Sequence, residues 1–180
     1  MPNLVVDFWF DPPNRRHWFE ASDSFDEKVR DLLDVRYVDA SQGRLDHWCD
    51  TPNGALALCI LLDQVPRNIF RGTVQCFATD DQARGVAREI LAQGFDLSYP
   101  ADDHRLFCYL PFEHSEGIED QRLSVRLFTE RVADPGYAEY ARRHRDIIGR
   151  FGRFPHRNAI LGRASTPEED EFLRSSGSSF

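Results

Sequence analysis

Ala55-Leu56-Ala57-Leu58-Cys59-Ile60-Leu61-Leu62-Asp63-Gln64-Val65-Pro66 is apolar on every side until Asp63 and Gln64 arrive near its end. A helix that is hydrophobic all round belongs inside a folded core. The apolar part, Ala55 to Leu62, is far shorter than the roughly 20 residues needed to cross a bilayer. Asn53 stands in a capping position ahead of the run, and Pro66 is expected to interrupt it. A buried central helix requires other helices to cover it, so the flanking sequence is read for amphipathic faces.

Helical spacing recurs, and no segment keeps a period of two for more than a few residues. Phe25, Val29, Leu32 and Leu33 form one face, with Asp26 and Glu27 in a favourable first turn. Thr79-x-x-Gln82 reads as a capping box opening a helix that runs to Leu91 and stops at Gly94. Asp102 or Asp103 opens the next, which Pro111 kinks or ends. Ile118 to Val132 follows, then the Asp134-Pro135-Gly136 turn signal. Tyr137 to Phe154 is the longest expected helix, and Thr166-Pro167-Glu168-Glu169 opens the last. The fold expected is all-α, with seven or eight main helices. Residues 1–174 are read as one helical domain and 175–180 as a loosely held tail. Phe8-Trp9-Phe10 and Trp18-Phe19 are large anchors for the first short helices.

The chain has 180 residues, 41% hydrophobic and 29% charged, the balance of a globular protein. A formal net charge of −8 argues against nucleic acid as a partner. No membrane segment or signal peptide is read, and Cys49, Cys59, Cys76 and Cys108 lack CxxC spacing, so a cytoplasmic protein is expected. Of 22 basic residues all but Lys28 are arginine, and seven arginines against one acid fall between Arg142 and Arg163. That run is either a solvated helix face or a site for an anion.

Polar groups that interrupt apolar faces narrow the search, because burying them without partners is costly. His144 falls in the face formed by Tyr137, Tyr140, Ala141, Ile147, Ile148 and Phe151. Gln121 shares a face with Val125, Phe128 and Val132. Glu113 continues the stripe of Tyr109 and Leu110, and Asp63, with Arg67 four residues on, ends the central helix. Pro66, Pro111 and Pro155 each free a carbonyl one turn earlier wherever helix continues, and buried donors could take those carbonyls. A second signal is an internal similarity. Pro66-Arg67-Asn68-Ile69-Phe70-Arg71-Gly72 and Pro155-His156-Arg157-Asn158-Ala159-Ile160-Leu161-Gly162 share Pro, Arg-Asn, an apolar pair and Gly. Both read as helix-to-helix turns ending on a left-handed glycine, with two arginines that could face an anion. Glu113-His114-Ser115-Glu116 lacks the spacing of a helical metal site, and no Walker loop, GxGxxG or G-x-S-x-G elbow occurs. No metal or cofactor is expected.

Three ordered blocks carry a resemblance over nearly the whole chain. They are Leu61 to Thr73 with Phe8-Trp9-Phe10 and Phe77 to Asp80; Leu110 to Glu116 with Asp120-Gln121; and Arg150 to Ala159 with Leu161-Gly162-Arg163 and Ser165 to Glu169. The chain resembles the bacterial family of domain of unknown function 924. That resemblance implies antiparallel helix pairs stacked in a tetratricopeptide-like right-handed superhelix. It implies no activity, and the 34-residue repeat signature is not visible. Val65 stands where the family often has Phe, a change in packing. The leading expectation is therefore a small carboxylate or phosphate bound in an interior polar pocket by Asp63, Arg67, Asn68, Glu113, Gln121, His144, His156, Arg157 and Asn158. Two rivals stay open. One is an enzyme using Glu113 or His144 as general acid or base, and the other is a scaffold binding a protein partner in a helical groove.

Overall fold

The computed structural model describes residues 1–175. Among these every regular element is helical. The expected tail from residue 176 onward lies outside the described residues. The chain falls into two compact units, Met1–Pro111 and a second that begins at Phe112.

In the first unit the cap of the central helix lies two residues before the one expected. Thr51, not Asn53, is the cap: its hydroxyl accepts from the Gly54 amide at 3.2 Å, and Pro52 takes the first helical position. That position suits proline because its missing amide hydrogen would have no partner there. Helix α4 (Pro52–Cys59), a π-helical turn over Ile60–Gln64 and helix α5 (Val65–Ile69) then follow without a break. Every residue from Gly54 to Pro66 is buried, as an all-apolar surface demands. The neighbours are α1 (Pro2–Phe10) and α6 (Asp80–Gln93) against α4, and α3 (Asp23–Ser41) against α5. At 19 residues α3 is the longest helix, ahead of the 17-residue helix near the other end. The face read from Phe25 to Leu33 continues through the buried Tyr37 and Ala40 to the end of the helix.

The N-terminal aromatics dock as anchors. Trp9 is fully buried and meets Phe107 edge-on at 5.6 Å between ring centroids, and the Trp18 indole donates to the Trp9 carbonyl at 2.9 Å. Such pairs add about 1 kcal/mol beyond the area they bury. The short α2 (Pro12–Arg15) links them to α3, and Phe19 stays 61% exposed. Helix α7 (Asp102–Glu113) passes through Pro111 rather than ending there, and carries the chain into the second unit.

There α8 (Ile118–Arg131) and α9 (Pro135–Phe151) pack along one another across the short Val132-Ala133-Asp134 connection, which makes them antiparallel. Asp134 caps α9 by accepting from Gly136, and Gly152 ends it in a left-handed conformation at φ 69°. Its buried face is Ala138, Ala141, His144, Ile147 and Ile148. Tyr140, expected on that face, is 54% exposed, because the stripe rotates past it toward Ala141. Phe154 closes a small core with Ile147, Ile148 and Phe172. Helix α10 (Pro167–Leu173) starts with a full capping box, Thr166 accepting from Glu169 and Glu169 returning to the Thr166 amide.

Candidate functional site

In the first unit the polar end of the central helix is occupied with its own backbone. Pro66 has no amide hydrogen and the π-turn shifts the ladder, so the carbonyls at Leu62, Asp63 and Gln64 draw in side chains. The Thr79 hydroxyl donates to Leu62 O at 2.6 Å, Arg67 to Asp63 O at 2.6 Å, and Asn68 to Gln64 O at 3.0 Å. The capping box expected at Thr79 therefore does not form: the hydroxyl is committed to Leu62, and Gln82 donates instead to Ser41 O. Arg67 is also held between two carboxylates, 3.3 Å from Asp63 and 2.9 Å from Asp80. Gln64 donates to the other Asp63 oxygen at 2.5 Å. The Arg67 guanidinium is thereby kept protonated against its own desolvation. Asn68 lies at the edge of an open groove of about 620 Å³, with Arg30, Arg71 and four acids of α3.

The second unit repeats this treatment at the end of α7. Gln121 donates from one amide nitrogen to Glu113 O at 2.6 Å and Ser115 O at 2.7 Å, and Arg157 donates to His114 O at 3.0 Å. Three consecutive carbonyls just before Pro66 and three just after Pro111 are taken by side chains, and all of these donors except Thr79 are ones the sequence flags as functional candidates. Gln121 and Arg157 thus have structural duties of their own.

What distinguishes the second place is the ionisable cluster beside it. Glu113 and His144 are each 5% exposed and Arg157 7%. His144 Nδ1 sits 3.5 Å from Glu113 Oε1 and donates to the Tyr140 carbonyl at 2.9 Å. A ring that donates from Nδ1 while neutral carries its lone pair on Nε2. His144 is pushed down to about 3, first by burial and then by the positive fields of His114, His156 and Arg157, against the raising effect of the Tyr140 hydrogen bond. His156 falls to about 4 by burial and by Arg157. Phe154 is the shared floor: the Arg157 guanidinium lies 4.7 Å above its ring, and His144 and His156 approach at 5.7 and 5.5 Å. At neutral pH the cluster is a buried, planar cation beside two uncharged imidazoles and a carboxyl group.

The arginine-rich run resolves differently along its length. Arg142 and Arg143 both reach Glu139, Arg145 pairs with Asp146, Arg150 with Glu168, Arg153 with both oxygens of Glu169, and Arg163 with both oxygens of Glu116. Acids outside the run offset most of its charge, as a solvated face would have it. Arg157 stands apart by its burial. Glu169, held down to about 2 mainly by Arg153, also accepts from Asn158, whose amide bonds Ser165 as well. Both Pro-Arg-Asn turns end on left-handed glycines, Gly72 at φ 76° and Gly162 at φ 65°. Sequence reading did not single out Thr79, Asp80, His114, Phe154 or Glu169 as partners in these arrangements. Asp80 and Glu169 carried a signal only as helix-opening acids.

The family model described as a bacterial protein of unknown function, DUF924, matches residues 5–177. Among solved structures the chain is similar to a protein of unknown function, ATU0120, from Agrobacterium tumefaciens. The two share 41% identity at a TM-score of 0.91, over 96% of each chain. No curated protein matches. With these helices and these three sequence blocks, the chain belongs to the DUF924 family.

Proposed function

We propose that the second unit binds a small carboxylate or phosphate at the cluster of Arg157, His144, His156 and Glu113. The observation that carries this reading is the burial of Arg157 and His144 against the Phe154 ring, with the buried Glu113 carboxyl 3.5 Å from His144. A guanidinium sheltered from water attracts an anion far more strongly than an exposed one, and its planar edge suits two oxygens at once. His156, half-buried at the rim, adds a second donor when protonated. Glu113 and Gln121 orient the remainder of the ligand. Asp63, Arg67 and Asn68, in the first unit, are assigned here to holding the π-turn, and Asn158 to holding α10. A cytoplasmic location fits the buried Cys59, Cys76 and Cys108 and the absence, among the described residues, of any helix long and apolar enough to cross a membrane.

An anion beside two imidazoles raises their proton affinity, so binding takes up protons and tightens as pH falls from 7 toward the histidine range. The test is thermal shift and calorimetry with phosphate, sulfate, acetate and citrate on wild type and Arg157→Gln, at neutral and mildly acidic pH. An anion present at a hundred times its Kd stabilises by about 2.7 kcal/mol. Stabilisation in wild type that Arg157→Gln loses supports the site. Equal responses from the two proteins at millimolar anion would sink it. A general acid or base role for Glu113 or His144 is tested on any ligand so found by looking for turnover. With its pKa near 3, His144 serves as a neutral hydrogen-bonding group more readily than as a base at neutral pH.

A further inference from the structure

Gln121 is fully buried and its amide is fixed in one orientation, since its nitrogen already donates to the carbonyls of Glu113 and Ser115. Its oxygen must face the other way, and there it is buried with no hydrogen-bond partner among the described residues. One turn further along α8, the Ser124 hydroxyl is also fully buried and also without a partner. Residues three apart share a helix face, so α8 presents two unmet polar groups on its sealed side, the first tied to the segment that bears Glu113. Native interiors rarely leave such groups unmet. The Gln121 oxygen is purely an acceptor and the Ser124 hydroxyl accepts as well as donates, so a donor on the ligand can satisfy both.

We infer that Gln121 Oε1 and Ser124 Oγ form a subsite for a hydrogen-bond donor on the ligand, so that the preferred ligand is an acid carrying an ammonium or hydroxyl group. This inference rests on the anion site proposed above, and it narrows the ligand class from any small anion to amino acids, hydroxy acids or their phosphorylated counterparts. Arg157 holds the acidic end, and the face of α8 takes the donor.

Two sets of matched probes separate the claims. Propanoate, L-lactate and L-alanine differ only by hydrogen, hydroxyl or ammonium on one carbon, and ethyl phosphate and O-phosphoethanolamine differ only by the ammonium. Calorimetry on wild type should give about ten-fold tighter binding for the donor-bearing member of a set, about 1.4 kcal/mol. Ser124→Ala should raise the melting temperature of the empty protein, because it deletes an unmet hydroxyl, while narrowing the difference between matched probes. Matched acids that bind equally would overturn the donor subsite and leave the anion site standing. No binding in either set would overturn both. A Ser124→Ala variant that is less stable than wild type when empty would show the hydroxyl to be satisfied, and the subsite would fall on that ground alone.

Discussion

Replacing His144 by Gln tests whether the cluster is as dry as its geometry requires. Folded His144 resists protonation, with its pKa down to about 3 chiefly from burial and then from His114, His156 and Arg157. In the unfolded chain the same ring titrates near 6.5. The unfolded state therefore takes the proton first, and stability is whole above about pH 6.5 and drains away as pH falls toward about 3. Between pH 7 and pH 4 this one ring removes about 3 kcal/mol, and a folded pKa nearer 4 changes that figure by only a few tenths. Gln cannot protonate, and it keeps a polar amide of similar size in the buried position. The assay is urea unfolding of both proteins at pH 7, 5 and 4, with circular dichroism to establish that each starts folded. His144→Gln is expected to be less stable than wild type at pH 7 and to lose about 3 kcal/mol less on acidification. Parallel loss in the two proteins would refute the buried, neutral imidazole and with it the sheltered cluster.

Thr79→Val leaves the Leu62 carbonyl buried without its 2.6 Å donor and should cost about 1–3 kcal/mol in chemical denaturation, more than a surface change of the same size. Arg67→Met strands the carboxylates of Asp63 and Asp80, and the expected loss is about 3–5 kcal/mol, most of it recovered when both acids are also made Asn. If the triple variant is no better than Arg67→Met, the ion pairs are not what Arg67 contributes. Gly94→Ala puts a side chain at φ 67° with open space around it, so backbone strain alone acts and the melting curve should register about 1 kcal/mol.

Much of this fold is legible from local signals. The run Ala55 to Leu62 is apolar on all sides and is buried on all sides. Thr166-Pro167 starts a helix and Gly94 ends one, because caps and left-handed glycines are decided within a turn or two of chain; α9, by contrast, begins at Pro135 inside the expected turn signal and stops at Gly152, short of the expected Phe154. Pro66 and Pro111 defeat the local rule. A proline ends a helix only if the freed backbone finds no other partner, and Leu62 finds Thr79, 17 residues away in sequence. Of the site, the burial of Glu113, Gln121 and His144 was visible as breaks in apolar faces. Their division of labour was not. Whether an amide repairs a helix end or faces a ligand depends on which carbonyls packing brings near it, and periodicity carries no such information. The convergence of Arg157 and two histidines on Phe154 is likewise a property of the turn after α9, where spacing has no regular period to read.

The π-turn at Ile60–Gln64 is also a phase slip. One extra residue in the turn advances everything after it by about 100° relative to an unbroken α-helix, since each residue turns the helix by that much. Positions before Cys59 and after Val65 therefore belong to two different helical wheels, though they sit on one continuous rod. A single-residue deletion within Ile60–Gln64 would restore one wheel and swing Arg67 and Asn68 about a quarter turn away from the carbonyls they now serve. A deletion of that kind spares the composition and the apolar content of the helix and removes only its phase, which makes it the sharpest way to ask what the slip is for.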